Sequence, residues 1–251
     1  MHAIILAAGR GSRLLPLTTD LPKCLLPIGN TTVLGMQLDT LAAHGVETAT
    51  VITGFNSHMV EDEINARLGG PRVEMLFNPF FQVADNLASC WMARESMNQD
   101  FLLINGDTLF SPELLQTVLS APAKDVAVTI DQKGYYDGDD MKVTLDGSQL
   151  TAIGKTLALT ETDGESIGML RFMNAGPEIF QDELGRLMRT PDGTKSWYLS
   201  AIHGLAQSGQ HMDTINIKGA DWSELDSPED DEVCRSLFGH SETARKRFSV
   251  V

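Results

Sequence analysis

Three basic side chains stand inside a glycine-rich stretch near the start of the chain. The segment GRGSRLLPLTTDLPKCLLPIGN (9–30) carries three glycines and three prolines, with Arg13 and Lys23 among them. Glycines let backbone N–H groups approach phosphate oxygens, and Arg13 and Lys23 supply the charge that a phosphate needs. Residues 1–30 set Arg10, Arg13 and Lys23 against Asp20 alone, a net +2 within a chain of net charge −15. A local anion site is the chemistry this pattern supports. It is not a Walker A loop, because Gly-Lys-Ser/Thr is absent. A dinucleotide fingerprint also fits poorly, since prolines rather than a helix follow the glycines. Taken alone, the same stretch reads equally as a surface loop with ordinary charges.

Carboxylates gather elsewhere. Residues 131–165 hold eight acids and three bases, and residues 221–232 hold seven acids and no base. Tyr135, Tyr136, Trp197, Tyr198 and Trp222 lie in or near these stretches. Carboxylates beside aromatic faces are what an ammonium group needs. Acid runs are also ordinary solvated faces, and the tryptophans equally fit a core. Lys142 stands out in the first stretch; it either meets an acceptor's phosphate or pairs with Asp139 or Asp140. The six histidines (His2, His44, His58, His203, His211, His240) show no metal spacing and no Ser or Cys partner in a motif, so none is assigned a role.

The elements that must hold these residues follow from periodicity. AIILAA (3–8) is an apolar run ended by Gly9, which predicts a buried strand delivering the glycine-rich loop. Further strands are expected at 48–53, 73–77, 101–105, 125–130, 141–145, 149–155, 166–173 and 212–217. Helices are expected at 32–44, 58–68, after Asp85 as a candidate N-cap, from Pro112, at 176–189, at 198–208 and after Ser227. Strand and helix alternate as far as residue 130, which predicts parallel pairing in an α/β fold. Ligands in such folds sit at the carboxyl edge of the sheet, where the loop 9–30 would lie. Strands then crowd together, with Asp146-Gly147 as a hairpin turn, so 130–175 reads as an antiparallel insertion. The expected architecture is one α/β domain over 1–251: a Rossmann-like, mixed, mostly parallel sheet with helices on both faces. The polar tail over 239–251 has no assigned role.

Composition bounds the partners. With 42% hydrophobic residues, 251 residues can bury a proper core. A net charge of −15 disfavours a nucleic-acid backbone and an anionic membrane surface. No apolar run approaches the roughly 18 residues of a membrane span. Three widely spaced cysteines (Cys24, Cys90, Cys234) fit a reducing cytoplasm. Oligomeric state, monomer or homo-oligomer, is left open.

The longer pattern is more specific than the glycines. LAAGRGSRLLPLTTDLPKCLLPIGN resembles the signature of the nucleotidyltransferases that activate sugar phosphates and related phosphomonoesters: a first strand, G-x-G-[ST]-R, a Pro-Leu-Thr, then Pro-Lys. INGDTLF (104–110) resembles that family's strand-end aspartate, and WSELDSPED (222–230) its Glu-x-Asp-x-Pro-Glu-Asp segment. The resemblance implies a GT-A-like fold and a reaction in which a phosphomonoester oxygen attacks the α-phosphorus of a nucleoside triphosphate and pyrophosphate leaves. It implies that Leu6 and the loop residues Ala8, Gly9, Gly11, Ser12 and Arg13 hold base and triphosphate. Arg13 would neutralise the leaving group and Lys23 the α-phosphate. Asp107 and Asp226 would hold Mg²⁺, with Glu224 as a weaker candidate.

FNPFFQVADNLASCWMAR (77–94) resembles the phosphocholine-type cytidylyltransferase branch, with Asn86 and Ser89 in place and Asp85 where that branch often has a second asparagine. Gln82, Asn86 and Ser89 can both donate and accept, which suits a pyrimidine edge. The resemblance therefore implies CTP, with phosphocholine or 2-aminoethylphosphonate as acceptor and Lys142, Glu165, Trp197, Tyr198 and Trp222 around it. The alternative is a hexose- or polyol-1-phosphate nucleotidyltransferase using UTP, dTTP, GTP or CTP. A non-catalytic nucleotide-sensing module on the same fold is disfavoured, because Arg13, Lys23, Asp107 and Asp226 are all present.

Overall fold

A computed structural model describes residues 1–239 of the chain. The 240–251 part of the polar tail lies outside the described residues. Strand β1 (His2–Ala7) leads into the long loop, which contains two 3₁₀ turns and a two-residue hairpin, β2 (Pro27–Ile28) and β3 (Thr31–Thr32). There follow α1 (Val33–Ala43), β4 (Thr48–Thr53), α2 (Ser57–Ala66), β5 (Arg72–Phe77), α3 (Asn86–Met92), β6 (Phe101–Asn105), β7 (Thr108–Phe110), α4 (Pro112–Ser120) and β8 (Val126–Asp131). The second half adds β9 (Lys142–Asp146), β10 (Gln149–Ile153), β11 (Gly164–Phe172), α5 (Gly176–Met188) and α6 (Leu199–Gln207). It closes with β12 (Asp213–Asn216), β13 (Trp222–Glu224) and α7 (Pro228–Phe238).

Nine strands form one sheet in the order β5-β4-β1-β6-β11-β8-β12-β10-β9. β10 and β11 run against the other seven. The antiparallel strands expected over 130–175 are present, and they belong to this sheet. β9 and β10 form its edge hairpin, while β11 lies in the middle, between β6 and β8. β11 also carries a register shift between Ser166 and Leu170. Gly168 sits there at φ 72°, and a Cβ at that point would run into the Asn105 side chain.

Alternation along the strands makes the core two-sided. Ile4, Ile52, Leu103 and Val128 face α3, α5 and α6 through Leu87, Cys90, Phe180, Leu184 and Ile202. Ile5, Val51, Leu102 and Ile104 face α1 and α4 through Leu34, Leu38, Leu114 and Val118. A third apolar cluster ties the ends of the chain together. Leu14, Leu26 and Ile28 from the long loop pack on Leu225, Cys234 and Phe238.

Two local devices fix the last segment. β13 pairs with β7, Glu224 opposite Thr108, and the Leu225 N–H donates to the Asp107 carbonyl at 3.1 Å. Ser227 caps α7 in a reciprocal capping box with Asp230, whose carboxylate also accepts the Asp226 N–H at 3.0 Å. Asp85 occupies the N-cap position of α3 but makes no capping bond.

Candidate active site

The carboxyl ends of β1, β6 and β8 deliver Ala8, Asp107 and Asp131 to one edge of the sheet, as expected for ligand sites in such folds. Lys23, at the start of a 3₁₀ turn, reaches back over the loop. Its Nζ donates to Asp107 Oδ2 at 2.5 Å and also to Asp226 Oδ1. Arg13 Nη1 donates to the other oxygen of Asp226 at 2.9 Å. The aliphatic stem of Lys23 lies against Gly11, which sits at φ 73°; a Cβ there would be 3.0 Å from Lys23 Cβ. The backbone angle there favours glycine, and the space for a Cβ is tight.

The charges in this cluster shape one another. Burial alone would lower the Lys23 pKa, but Asp107 and Asp226 outweigh it and hold the ammonium charged far above its ordinary value. Burial would raise Asp226, and Lys23, then Arg13, bring it below the usual carboxylate range. Glu224 has no such cation at contact. Burial, then repulsion from Asp107 and Asp226, push its carboxyl up to about 7, while a 3.2 Å hydrogen bond from Asn105 Nδ2 pulls the other way.

Two cavities meet this cluster. One, of about 260 Å³, is lined by Leu6, Ala8, Gly9, Phe81, Ala84, Asp85, Asn86, Ser89, Asn105, Asp107 and Trp197. Its wall is positioned by polar contacts: Ser89 Oγ accepts from Asn78 Nδ2 at 3.0 Å, and Asn86 Oδ1 accepts the Tyr198 N–H at 2.8 Å. The second, of about 580 Å³, is lined by Arg13 and Lys133 and by eight acids, among them Asp131, Asp140, Glu165, Glu224 and Asp226, with Trp222 beside them. Trp222 Nε1 donates to Asp131 Oδ2 at 3.0 Å. Asp107 faces the first cavity, Asp226 the second, and Lys23 is bonded to both.

The structure thus brings together Arg13, Lys23, Asp107, Glu224 and Asp226. It places Leu6, Ala8, Gly9, Asn86 and Ser89 in the smaller cavity, and Glu165 and Trp222 in the larger. Ser12 is exposed on the loop, outside both linings. Gln82 is exposed on the turn before α3 and lines neither cavity, so a base contact is not supported for it. Lys142 is a correction. Its strand position turns the side chain inward, where Nζ donates to the Asp137 carbonyl at 2.8 Å and pins the 137–140 turn instead of facing the acidic cavity. Tyr198 is likewise fully buried in the core and lines neither cavity. Trp197 lines the smaller cavity, not the acidic one, with Lys155 Nζ 5.6 Å above its ring.

Sequence reasoning did not single out Asn105, Phe81 or Lys133. Asn105 had a signal: it is the last residue of β6, one step before Gly106-Asp107, where a polar end to an apolar strand faces the sheet edge. The acids can also hold a divalent cation. Asp107 and Asp226 present oxygens to one common point, now marked by Lys23 Nζ, and Asp107 Oδ1 is buried with no hydrogen-bond partner. Hard carboxylate oxygens of this kind suit Mg²⁺. No cluster of three or more His, Cys, Asp or Glu that could hold a metal ion occurs among the described residues, so the candidate rests on this pair of carboxylates.

The chain is similar to known proteins in sequence and in fold. The chain is 27% identical over 237 residues to the CMP-5'-(3-aminopropyl)phosphonate synthase of Streptomyces rubellomurinus, a match covering 92% of this chain and 37% of that protein. It therefore spans little more than a third of that relative. It is 24% identical over 257 residues to the CTP:phosphoglutamine cytidylyltransferase of Campylobacter jejuni, covering 93% and 98% of the two chains. The inositol-1-phosphate CTP transferase of T. maritima has the same fold, with a TM-score of 0.79 at 19% identity over 100% of this chain and 97% of that one. Residues 2–139 match the family described as Nucleotidyl transferase, a span that contains the loop, Lys23 and Asp107. The chain belongs to the nucleotidyl transferase family.

Proposed function

We propose that this chain transfers a CMP group from CTP to a small amine-bearing phosphomonoester or phosphonate, such as phosphocholine or 2-aminoethylphosphonate, with Mg²⁺, and releases pyrophosphate. The observation that carries the reading is the Lys23 ammonium, bonded to one carboxylate from each of two adjoining cavities. The smaller cavity offers Asn86, Ser89 and Asn105 to a pyrimidine edge. The larger offers an acidic, Trp222-flanked space to a cation. Two relatives named for cytidylyl or CMP products on a phosphonate and on phosphoglutamine support the choice of CTP.

The chemistry is displacement at the α-phosphorus. An anionic oxygen of the acceptor forms the new P–O bond as the bond from the α-phosphorus to the α,β-bridging oxygen breaks, and pyrophosphate carries that electron pair away. The attacking oxygen is already anionic, so no general base is required. The backbone at Ala8 to Gly11 cradles the triphosphate. Arg13, exposed at the mouth, balances charge on the leaving group, and Lys23 balances it at the α-phosphate. Asp107 and Asp226 would hold Mg²⁺, which supplies further neutralisation of the triphosphate when bound. The chain's three thiols are free and buried, consistent with work in a reducing cytoplasm.

The test is a panel of nucleoside triphosphates against amine phosphates, amine phosphonates and hexose 1-phosphates, scored by pyrophosphate release. The reading expects a maximum at CTP with an amine. A maximum at a hexose 1-phosphate with UTP, dTTP or GTP overturns it in favour of the sugar reading.

A further inference from the structure

The acidic cavity carries a cation of its own. Lys133 follows β8, and its Nζ lies 2.8 Å from Glu165 Oε1 and 3.1 Å from Asp140 Oδ1, with the Tyr136 ring centroid 5.8 Å away. The two acceptors are fixed. Glu165 is held in β11, paired with Asp131 of β8 and Lys142 of β9. Asp140 is held by the Asp137 N–H at 2.8 Å and by the turn that Lys142 pins. Their side chains are 5% and 12% exposed, whereas that of Lys133 is 39% exposed. Two fixed acids, Glu165 buried and Asp140 nearly so, therefore face one loosely held ammonium.

We propose that Lys133 is a specificity-determining residue whose ammonium occupies, in the ligand-free chain, the seat that the acceptor's primary ammonium takes, and that it swings into solvent to admit it. The inference rests on the reading of an amine-bearing acceptor. A primary ammonium repeats what Lys133 does: it brings N–H groups to Asp140, which accepts one at 3.1 Å, and to the Glu165 oxygen 2.8 Å away. A trimethylammonium group has no N–H to give, and its methyls hold the charge away from both oxygens. The seat so described selects a primary amine over a quaternary one, a distinction that an acidic surface alone does not make.

The competition is measurable. A seat filled by the chain's own lysine is open for only part of the time, which weakens apparent affinity by that fraction, so Lys133→Met should lower KM for 2-aminoethylphosphonate by about five- to tenfold. KM for the N,N,N-trimethyl counterpart should change less, and Lys133→Arg should restore the wild-type KM for the primary amine. A residue with only a structural role would raise KM or leave it alone. Melting curves establish that each variant is folded, and Lys133→Gln is read in the same way if Lys133→Met is not. A folded Lys133→Met or Lys133→Gln with unchanged or raised KM for the primary amine overturns the inference, as does an equal gain for the trimethyl compound. Wild-type protein that turns over hexose 1-phosphates and no amine overturns the acceptor reading itself, and the inference with it.

Discussion

Lys23 and Asp107 are 84 residues apart in sequence, and their side chains meet at 2.5 Å. The contact closes the loop after β1 onto the end of β6, two adjacent parallel strands. With Asp226 on the other side, Lys23 is the hub of the site. Lys23→Ala should reduce turnover by roughly 10²–10³ while the chain stays folded, since a donor preorganised at the transition state is lost. Pyrophosphate release and a circular dichroism melt, run together, check both halves. Near-normal turnover would remove Lys23 from the mechanism.

Asp107→Asn and Asp226→Asn keep shape and remove one negative charge each. Both should lower turnover by about 100-fold or more and shift the Mg²⁺ dependence to higher concentration. A magnesium titration at saturating nucleotide reads the shift. If either variant saturates at the wild-type concentration, that carboxylate is not a metal ligand.

Arg171, on β11, is buried and spends its guanidinium on backbone. It donates to the carbonyls of Val118, Ala121 and Pro122, the last turn of α4 and its exit. Those carbonyls have no partners within the helix. Arg171→Met should destabilise the fold by about 2–4 kcal/mol, because several buried acceptors lose their donor at once. Urea unfolding measures it, and a loss below experimental scatter would mean that the helix end finds water instead.

Glu165 gives a pH dependence with a definite sign. Burial, then its contact with Asp140, raises its carboxyl to about 8 from an ordinary 4.5, against the opposing pull of Lys133. The folded chain therefore keeps a proton that the unfolded chain releases. The associated stability is fully present below pH 4.5 and is lost as pH rises through about 8. Wild type should lose melting temperature relative to Glu165→Gln across that window. Parallel melting curves with pH would show the carboxyl ionised throughout.

Much of the site was legible because its residues sit in local punctuation. Gly11, Pro22 next to Lys23, and Gly106 next to Asp107 are read without tertiary information, and so are the strands that deliver them. Lys142 and Lys133 show where this stops. Both are lysines in one acidic stretch, and only the burial pattern of β9 decides that Lys142 turns inward to backbone carbonyls while Lys133 stays in the cavity. Trp197 and Tyr198 are neighbours in sequence, yet one lines a cavity and the other is core. Periodicity found β11, but its place between β6 and β8 depends on long-range pairing that no local pattern encodes.

The apolar cluster joining Leu14, Leu26 and Ile28 to Leu225, Cys234 and Phe238 has a consequence for biosynthesis. Lys23 leaves the ribosome 203 residues ahead of Asp226. Until that segment emerges, the loop has a cation with half of its counter-charge and an apolar patch without the cover that Leu225, Cys234 and Phe238 give it. The site therefore cannot assemble on a nascent chain until the segment carrying Asp226 has emerged. Interrupted translation products would hold a phosphate-binding loop yet leave the cell's triphosphates unspent.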